Sequence, residues 1–310
     1  YYAVPQAENS NFKHRPIGLG IMGFQDALYI KKIPYASEHA VTFADESMEM
    51  VSYYAIKSSS DLASERGAYS SYKGSLWSKG ILPLDSVELL KKERGEEFIE
   101  VDTTTRLDWE GLKKIVKKQG MRNSNVMAIA PTATIANITG LTQSIEPTYS
   151  NLFVKSNLSG EFTIINMHLV DALKEIGMWD EVMVYDLKNL NGSLEGINRV
   201  PEELKKLFAT SFEVEPKWLI EAASRRQKWI DQSQSLNLYV SEPNGKKLDV
   251  MYKMAWLRGL KTTYYLRSRS ATTSEKSTIT NLELNAVAAN QGSEAPEACS
   301  ILDPDCEACQ

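Results

Sequence analysis

The 310-residue chain carries a net charge of −5, which gives no basic footprint for nucleic acid. It is long enough to bury a substantial core, as one large α/β domain or two smaller ones. No apolar run reaches the roughly 18 residues that span a bilayer, and the opening YYAVPQAENS has neither the basic nor the apolar region of a secretion signal. The missing initiator Met fits a chain cut from something longer. All three cysteines (Cys299, Cys306, Cys309) lie in the last twelve residues. A secreted disulfide framework would spread them through the fold, so a cytoplasmic protein with special tail chemistry is expected.

Residues 1–16 are polar and turn-rich and read as a connector. Gly18 to Gly23 then spells G-x-G-x-x-G, but a dinucleotide fingerprint needs a strand immediately before it. Asn11 to Pro16 will not make one, so close packing of a helix against small residues is the expected use. Val41, Ala44, Met48, Val51, Ala55, Ser58 and Leu62 recur at helical spacing. They predict one face of a long helix, with Ser37 as N-cap and Gly67 as stop. At 1.5 Å per residue it spans roughly 40 Å. Gly67 to Gly80 reads as a loop, and Lys91 to Glu100 as a solvated charge run. Leu107 to Gly120 forms a second amphipathic helix, with Leu112, Ile115 and Val116 on one face.

Met121 to Pro147 (MRNSNVMAIAPTATIANITGLTQSIEP) is the most informative stretch. The apolar segment Val126 to Ala130 breaks at Pro131 into Thr132, Ala133, Thr134 and Ile135. Pro131 lacks an N–H and favours an extended residue before it, so it suits a strand end or a first helical turn. A strand handing over to small hydroxyl residues at a helix start resembles a phosphate cradle, because free backbone N–H groups there attract anions. From the residues alone, a simple strand–loop–helix junction is the plainer reading.

Beyond Pro147, Asn151 to Lys155 is predicted as a strand. Asn166 caps a helix from His168 to Ile176, which Gly177 ends. Leu190 to Gly196 is a turn-rich connection. Pro201 opens a helix from Glu202 to Phe208, and Pro216 opens another reaching about Gln232. Strand Ser235 to Val240, helix Leu248 to Leu257 and strand Lys261 to Leu266 follow. Helices alternating with short β-branched or apolar runs give the pattern of a parallel α/β fold. Within the last strand, adjacent Tyr264 and Tyr265 should face opposite sides, one ring in the core and one less buried. Periodicity ends at Ala271. From Asn281 the chain has six acidic and no basic residues, so residues 1–270 are expected to fold and 271–310 to form a flexible acidic tail. Cys306 and Cys309 form a C-x-x-C pair there. It could be half of a zinc site, though no second pair matches it, or a thiol–disulfide exchange pair.

Taken together, APTATIANITG with SIEP, RPIGLGIMGF, SERGAYSSYKGS, LSGEF and GLKTTYYLRSR resemble the C-terminal part of the class I ribonucleotide reductase large (α) subunit. The resemblance implies a ten-stranded α/β barrel of which this chain supplies the C-terminal half. It implies substrate-phosphate contacts at Thr132, Ala133, Thr134 and Ile135, a radical relay through Tyr264 and Tyr265, and a disulfide shuttle at Cys306 and Cys309. Family members often have a hydroxyl residue where Ile135 stands, so one side-chain contact would be lost here. Cys299 receives no role.

By the same resemblance, the chain binds no cofactor directly, and the radical cofactor resides in a separate small (β) subunit. Its partners would be the N-terminal portion of the large subunit, that small subunit, thioredoxin or glutaredoxin, and a ribonucleoside diphosphate, with neither membrane nor nucleic acid. The family's barrel cysteines are missing, so the chain alone is expected to be inactive. Two other readings stay open: a non-catalytic phosphate-binding α/β module with a redox-active tail, and a dehydrogenase resting on Gly18 to Gly23.

Overall fold

A computed structural model describes residues 1–157 and 160–269. Cys299, Cys306, Cys309 and the expected flexible tail lie outside these residues. In chain order the helices are α1 (Pro5–His14), α2 (Phe24–Ile30), α3 (Glu38–Arg66), α4 (Leu76–Lys79), α5 (Ser86–Arg94), α6 (Trp109–Gln119) and α7 (Ile135–Thr139). The antiparallel hairpin β1 (Leu152–Asn157) and β2 (Gly160–Ile165) follows. Then come α8 (Met167–Glu175), α9 (Glu181–Asn189), α10 (Glu202–Leu207), α11 (Pro216–Gln227), β3 (Leu238–Val240), α12 (Gly245–Leu257) and β4 (Leu266–Ser268).

Four extended segments lie side by side in chain order, all parallel. Leu19 bridges Met127, Ile129 bridges Gln234, and β3 pairs with β4 in the register Leu238 to Leu266. Helices connect each segment to the next, as a parallel arrangement requires. This is the α/β pattern expected from the sequence. Regular ladders are short because the segments are broken by Pro131 and by an irregularity at Tyr264.

The long helix α3 forms as predicted, capped by the Ser37 hydroxyl, which accepts from the Ala40 N–H, and stopped at Gly67 with φ of 81°. It packs against α6 and α11. Its buried face departs from expectation beyond Met48. Ser52, Ile56, Ser59, Ser60 and Ala63 are buried there, while Leu62 is exposed. The three serines can be buried because each donates a hydrogen bond: Ser52 to Trp229 O, Ser59 to Asn123 Oδ1, and Ser60 to Gln119 Oε1. A stripe of satisfied hydroxyls is invisible to an apolar periodicity.

Other boundaries are corrected for similar reasons. The expected connector at residues 1–16 contains α1, which buries no residue and so shows no apolar repeat. The loop Gly67 to Gly80 contains the single turn α4, held by Trp77, whose indole donates to Ser124 O at 2.8 Å. The charge run begins inside α5, anchored by buried Val87. Strand β2 and helix α9 were not anticipated. The helix after Pro216 stops at Gln227 rather than near Gln232, where Lys261 Nζ donates to the carbonyls of Ile230, Asp231 and Gln232.

A main apolar core surrounds α3, α6 and α11, and a second gathers Leu169, Leu173, Met183, Leu187 and Phe208 around α8 and α9. Among the described residues, no helix is long and apolar enough to cross a membrane.

Candidate functional site

Asp231, just beyond α11, sets the entry to the site. Its carboxylate accepts from the N–H groups of Val126 at 3.0 Å and Met127 at 2.6 Å. Burial pushes its pKa up, and those two donors only partly offset this. On the other flank, Gly18 and Gly20 lie against the same strand. A Cβ on Gly20 would sit 2.4 Å from Ala128 O. The glycines therefore allow close backbone approach, but to an extended segment rather than to the helix expected. The G-x-G run is itself extended, with Leu19 N donating to Val126 O, so it is not the turn that opens a dinucleotide-binding helix.

The extended segment through Met127 and Ile129 ends at Pro131, and the chain turns into α7. Thr132 carries most of the turn: its hydroxyl oxygen accepts from Ser144 N at 2.8 Å and its carbonyl from Ala136 N at 2.8 Å. The Asn137 amide donates back to Ala133 O at 2.7 Å, and buried Ala136 pins the turn to the body. Among the described residues, none accepts from the N–H of Ala133, Thr134 or Ile135. These three donors sit on an exposed turn with the Thr134 hydroxyl beside them. The arrangement can hold an anion through backbone N–H groups and hydroxyls. The Ile135 side chain is exposed and contributes no donor.

The far side of the loop is braced by Asp26 on α2. Its Oδ2 accepts from the N–H of Thr142 at 2.7 Å and its hydroxyl at 2.8 Å. Burial would raise the Asp26 pKa, but His168 and Thr142 outweigh it and hold the carboxyl below its usual range.

Tyr264 and Tyr265 form the second part of the site. The expectation of one core ring and one outward ring is overturned. Both are about half exposed, at 46% and 52%, and their centroids lie 4.0 Å apart. The Tyr264 phenol donates to the Tyr265 oxygen at 3.2 Å, and this bond raises the Tyr264 pKa. They share a side because regular β4 begins only at Leu266 rather than at the predicted Lys261. Alternation of side chains does not extend back through the pair.

Loop and tyrosines are joined by Glu146, which lies within SIEP, and by Asn237, which no motif announced. Glu146, at the end of the stretch Met121 to Pro147, accepts from Asn237 Nδ2 at 2.7 Å and from the Tyr239 hydroxyl. Asn237 Oδ1 in turn accepts from Tyr265 N at 3.1 Å. Burial, with Glu146 beside it, pushes the Tyr239 phenol far up. The sequence marked Glu146 by its place in SIEP but gave no sign of its partners Asn237 and Tyr239. Among the described residues, no group of His, Cys, Asp and Glu is arranged to hold a metal ion.

The family described as "Ribonucleotide reductase, barrel domain" matches residues 1–266. The chain is 56% identical over 323 aligned positions to the ribonucleoside-diphosphate reductase subunit alpha of Chlamydia trachomatis serovar D, covering 100% of this chain and 31% of that protein. It is 42% identical to the large subunit of Danio rerio, covering 87% of this chain and 32% of the relative. Among solved structures, the class Id ribonucleotide reductase alpha subunit of Actinobacillus ureae superposes with a TM-score of 0.66 at 26% identity. That match covers 87% of this chain and 42% of the other. The chain thus spans about a third of the length of the curated relatives it matches. With its parallel segments, its small-residue loop after Pro131 and its paired tyrosines in place, the chain belongs to the ribonucleotide reductase barrel-domain family.

Proposed function

We propose that this chain acts as the C-terminal part of the large subunit of a cytoplasmic ribonucleoside-diphosphate reductase. In the complete enzyme the ribose 2′-OH leaves as water and hydrogen takes its place. The two electrons come from a thiol pair that becomes a disulfide. The loop Thr132 to Ile135 binds the substrate phosphates, Tyr264 and Tyr265 relay the radical from the small subunit, and Cys306 with Cys309 carries reducing equivalents from thioredoxin or glutaredoxin. The remaining large-subunit residues supply the thiols that act on the ribose.

The observation that carries this reading is the tyrosine pair. Two phenol rings with centroids 4.0 Å apart, joined by a 3.2 Å hydrogen bond and both reachable from solvent, support hydrogen transfer between them and from a partner. A purely structural pair would gain more from burial. The test combines the chain with the rest of a matching large subunit, a small subunit and reduced thioredoxin, and measures deoxyribonucleotide formed from ribonucleoside diphosphate. Turnover is expected only from the complete mixture. A folded, complete mixture that forms no product overturns the reading, as does robust turnover by this chain alone.

A further inference from the structure

The backbone beside the tyrosine pair is not a regular ladder. With Leu238 opposite Leu266, the register places Asn237 opposite Tyr265. A regular parallel ladder would then have Tyr265 N–H donate to Leu236 O. Instead Tyr264 N takes Leu236 O at 2.8 Å, while Leu238 N still donates to Tyr265 O at 2.9 Å. One residue is extra on the tyrosine strand, which makes a bulge and strands the Tyr265 N–H without a ladder acceptor.

Asn237 Oδ1 takes that N–H at 3.1 Å. Glu146 dictates which way the Asn237 amide points. Its carboxylate oxygens accept from Asn237 Nδ2 and the Tyr239 hydroxyl. A carboxylate only accepts, so the NH2 of Asn237 must face it and the amide oxygen must face Tyr265. Asn237 and Glu146 are 3% and 8% exposed. The flipped amide would set two oxygens against each other where water cannot intervene.

We propose that Asn237, oriented by Glu146, is a positioning residue that holds the bulge at Tyr264 and Tyr265 and so keeps both phenols on one side of the strand. Its use in turnover rests on the relay reading above. The geometric claim stands on the chain itself.

Donor–acceptor polarity provides the test, since it can be inverted without changing shape. Asn237→Asp sets two carboxylates together. Adding Glu146→Gln lets the introduced amide donate to the introduced carboxylate while its oxygen accepts from Tyr239. Hydrogen exchange at Tyr265 N–H, and the fluorine spectrum of the full chain labelled with fluorotyrosine at positions 264 and 265, are the readouts. In Asn237→Asp, exchange at Tyr265 should accelerate about tenfold, the equivalent of one net hydrogen bond. The two fluorine signals should move toward those of isolated residues. The paired variant should recover both.

Unchanged Tyr265 protection in Asn237→Asp overturns the proposal, as does failure of the paired variant to recover. Should the single variant not fold, Asn237→Ser, too short to reach either partner, replaces it under the same criteria. In the assembled enzyme, Asn237→Asp should lower kcat on the order of 100-fold, as misplacement by about 1 Å does, with KM for the diphosphate unchanged. An assembled enzyme indifferent to Tyr264→Phe would refute the relay, and the exchange measurement would then decide positioning by itself.

Discussion

The Lys228 ammonium and the Asp45 carboxylate, both wholly buried, lie 3.1 Å apart at the crossing of α3 and the end of α11. Asp45 also receives the Trp229 indole N–H at 2.7 Å and lies near Arg225 and Arg106. Lys228 reaches Asp102 at 2.7 Å and Thr104 O at 3.1 Å. The pair joins the longest helix to the turn from which the segment bearing Asn237 departs.

Removing Lys228 leaves the buried Asp45 carboxylate with the more exposed Arg225 and Arg106, at 3.3 and 3.4 Å, as its remaining counter-charges. Lys228→Met should therefore destabilise the chain by about 1–3 kcal/mol, the cost of a lost buried hydrogen-bonded partner, measured by urea unfolding. Lys228→Met together with Asp45→Asn should cost clearly less. Equal losses in the single and paired variants would show that the charge pair is not what matters.

The pH response follows from Asp102. Burial alone would raise its pKa, but hydrogen bonds from Lys228 and Thr104 and the charges of Lys228 and Arg225 hold it at about 2. The folded value lies below that of the unfolded chain, about 3.9. Its contribution is therefore fully present above roughly pH 4 and is lost as pH falls toward about 2. The stability gap between wild type and Asp102→Asn should narrow across that window, and a gap constant with pH would contradict the assignment.

The two threonines of the loop at 132–135 should separate fold from the proposed phosphate binding. Thr132→Val removes the acceptor of Ser144 N–H and should cost about 1 kcal/mol of stability. Among the described residues the Thr134 hydroxyl makes no hydrogen bond, so Thr134→Val should leave the unfolding midpoint unchanged. Both should weaken diphosphate binding, read by calorimetry in the assembled enzyme. Full affinity in Thr134→Val would remove its hydroxyl from the site.

Phe at either 264 or 265 keeps the ring and removes only the phenol O–H. Because both rings are half exposed, thermal unfolding should not change. Turnover of the assembled enzyme should collapse in each variant. Near-normal turnover from either one would exclude it from the relay.

Replacing Cys306 and Cys309 together with Ser should abolish most thioredoxin-driven turnover. Dithiothreitol, a small dithiol able to reach a buried disulfide directly, should restore it. A single turnover from pre-reduced enzyme should survive. Unchanged thioredoxin-driven turnover in the double variant would assign the C-x-x-C pair elsewhere.

Short-range signals carried the parts of this protein that chain-local physics controls. Ser37, Asn166 and Gly67 bound their helices where expected, because a cap is decided by residues two to four positions away. Pro131 ended its strand, and the order of helices with extended runs announced the parallel fold. The small hydroxyl residues at 132–135 suggested an anion cradle from the residues themselves, whereas the roles expected at 132–135 and 264–265 came from resemblance. Tertiary structure decided which faces are buried and how the motifs meet. The Ser52, Ser59 and Ser60 stripe is buried because partners on distant elements accept its hydrogen bonds, which no periodicity encodes. The two tyrosines share a side because a bulge adds one residue to the ladder. That bulge depends on Asn237 and Glu146, 28 and 119 positions away from Tyr265, and a hydrogen-bond acceptor supplied across such distances exists only once the chain has folded.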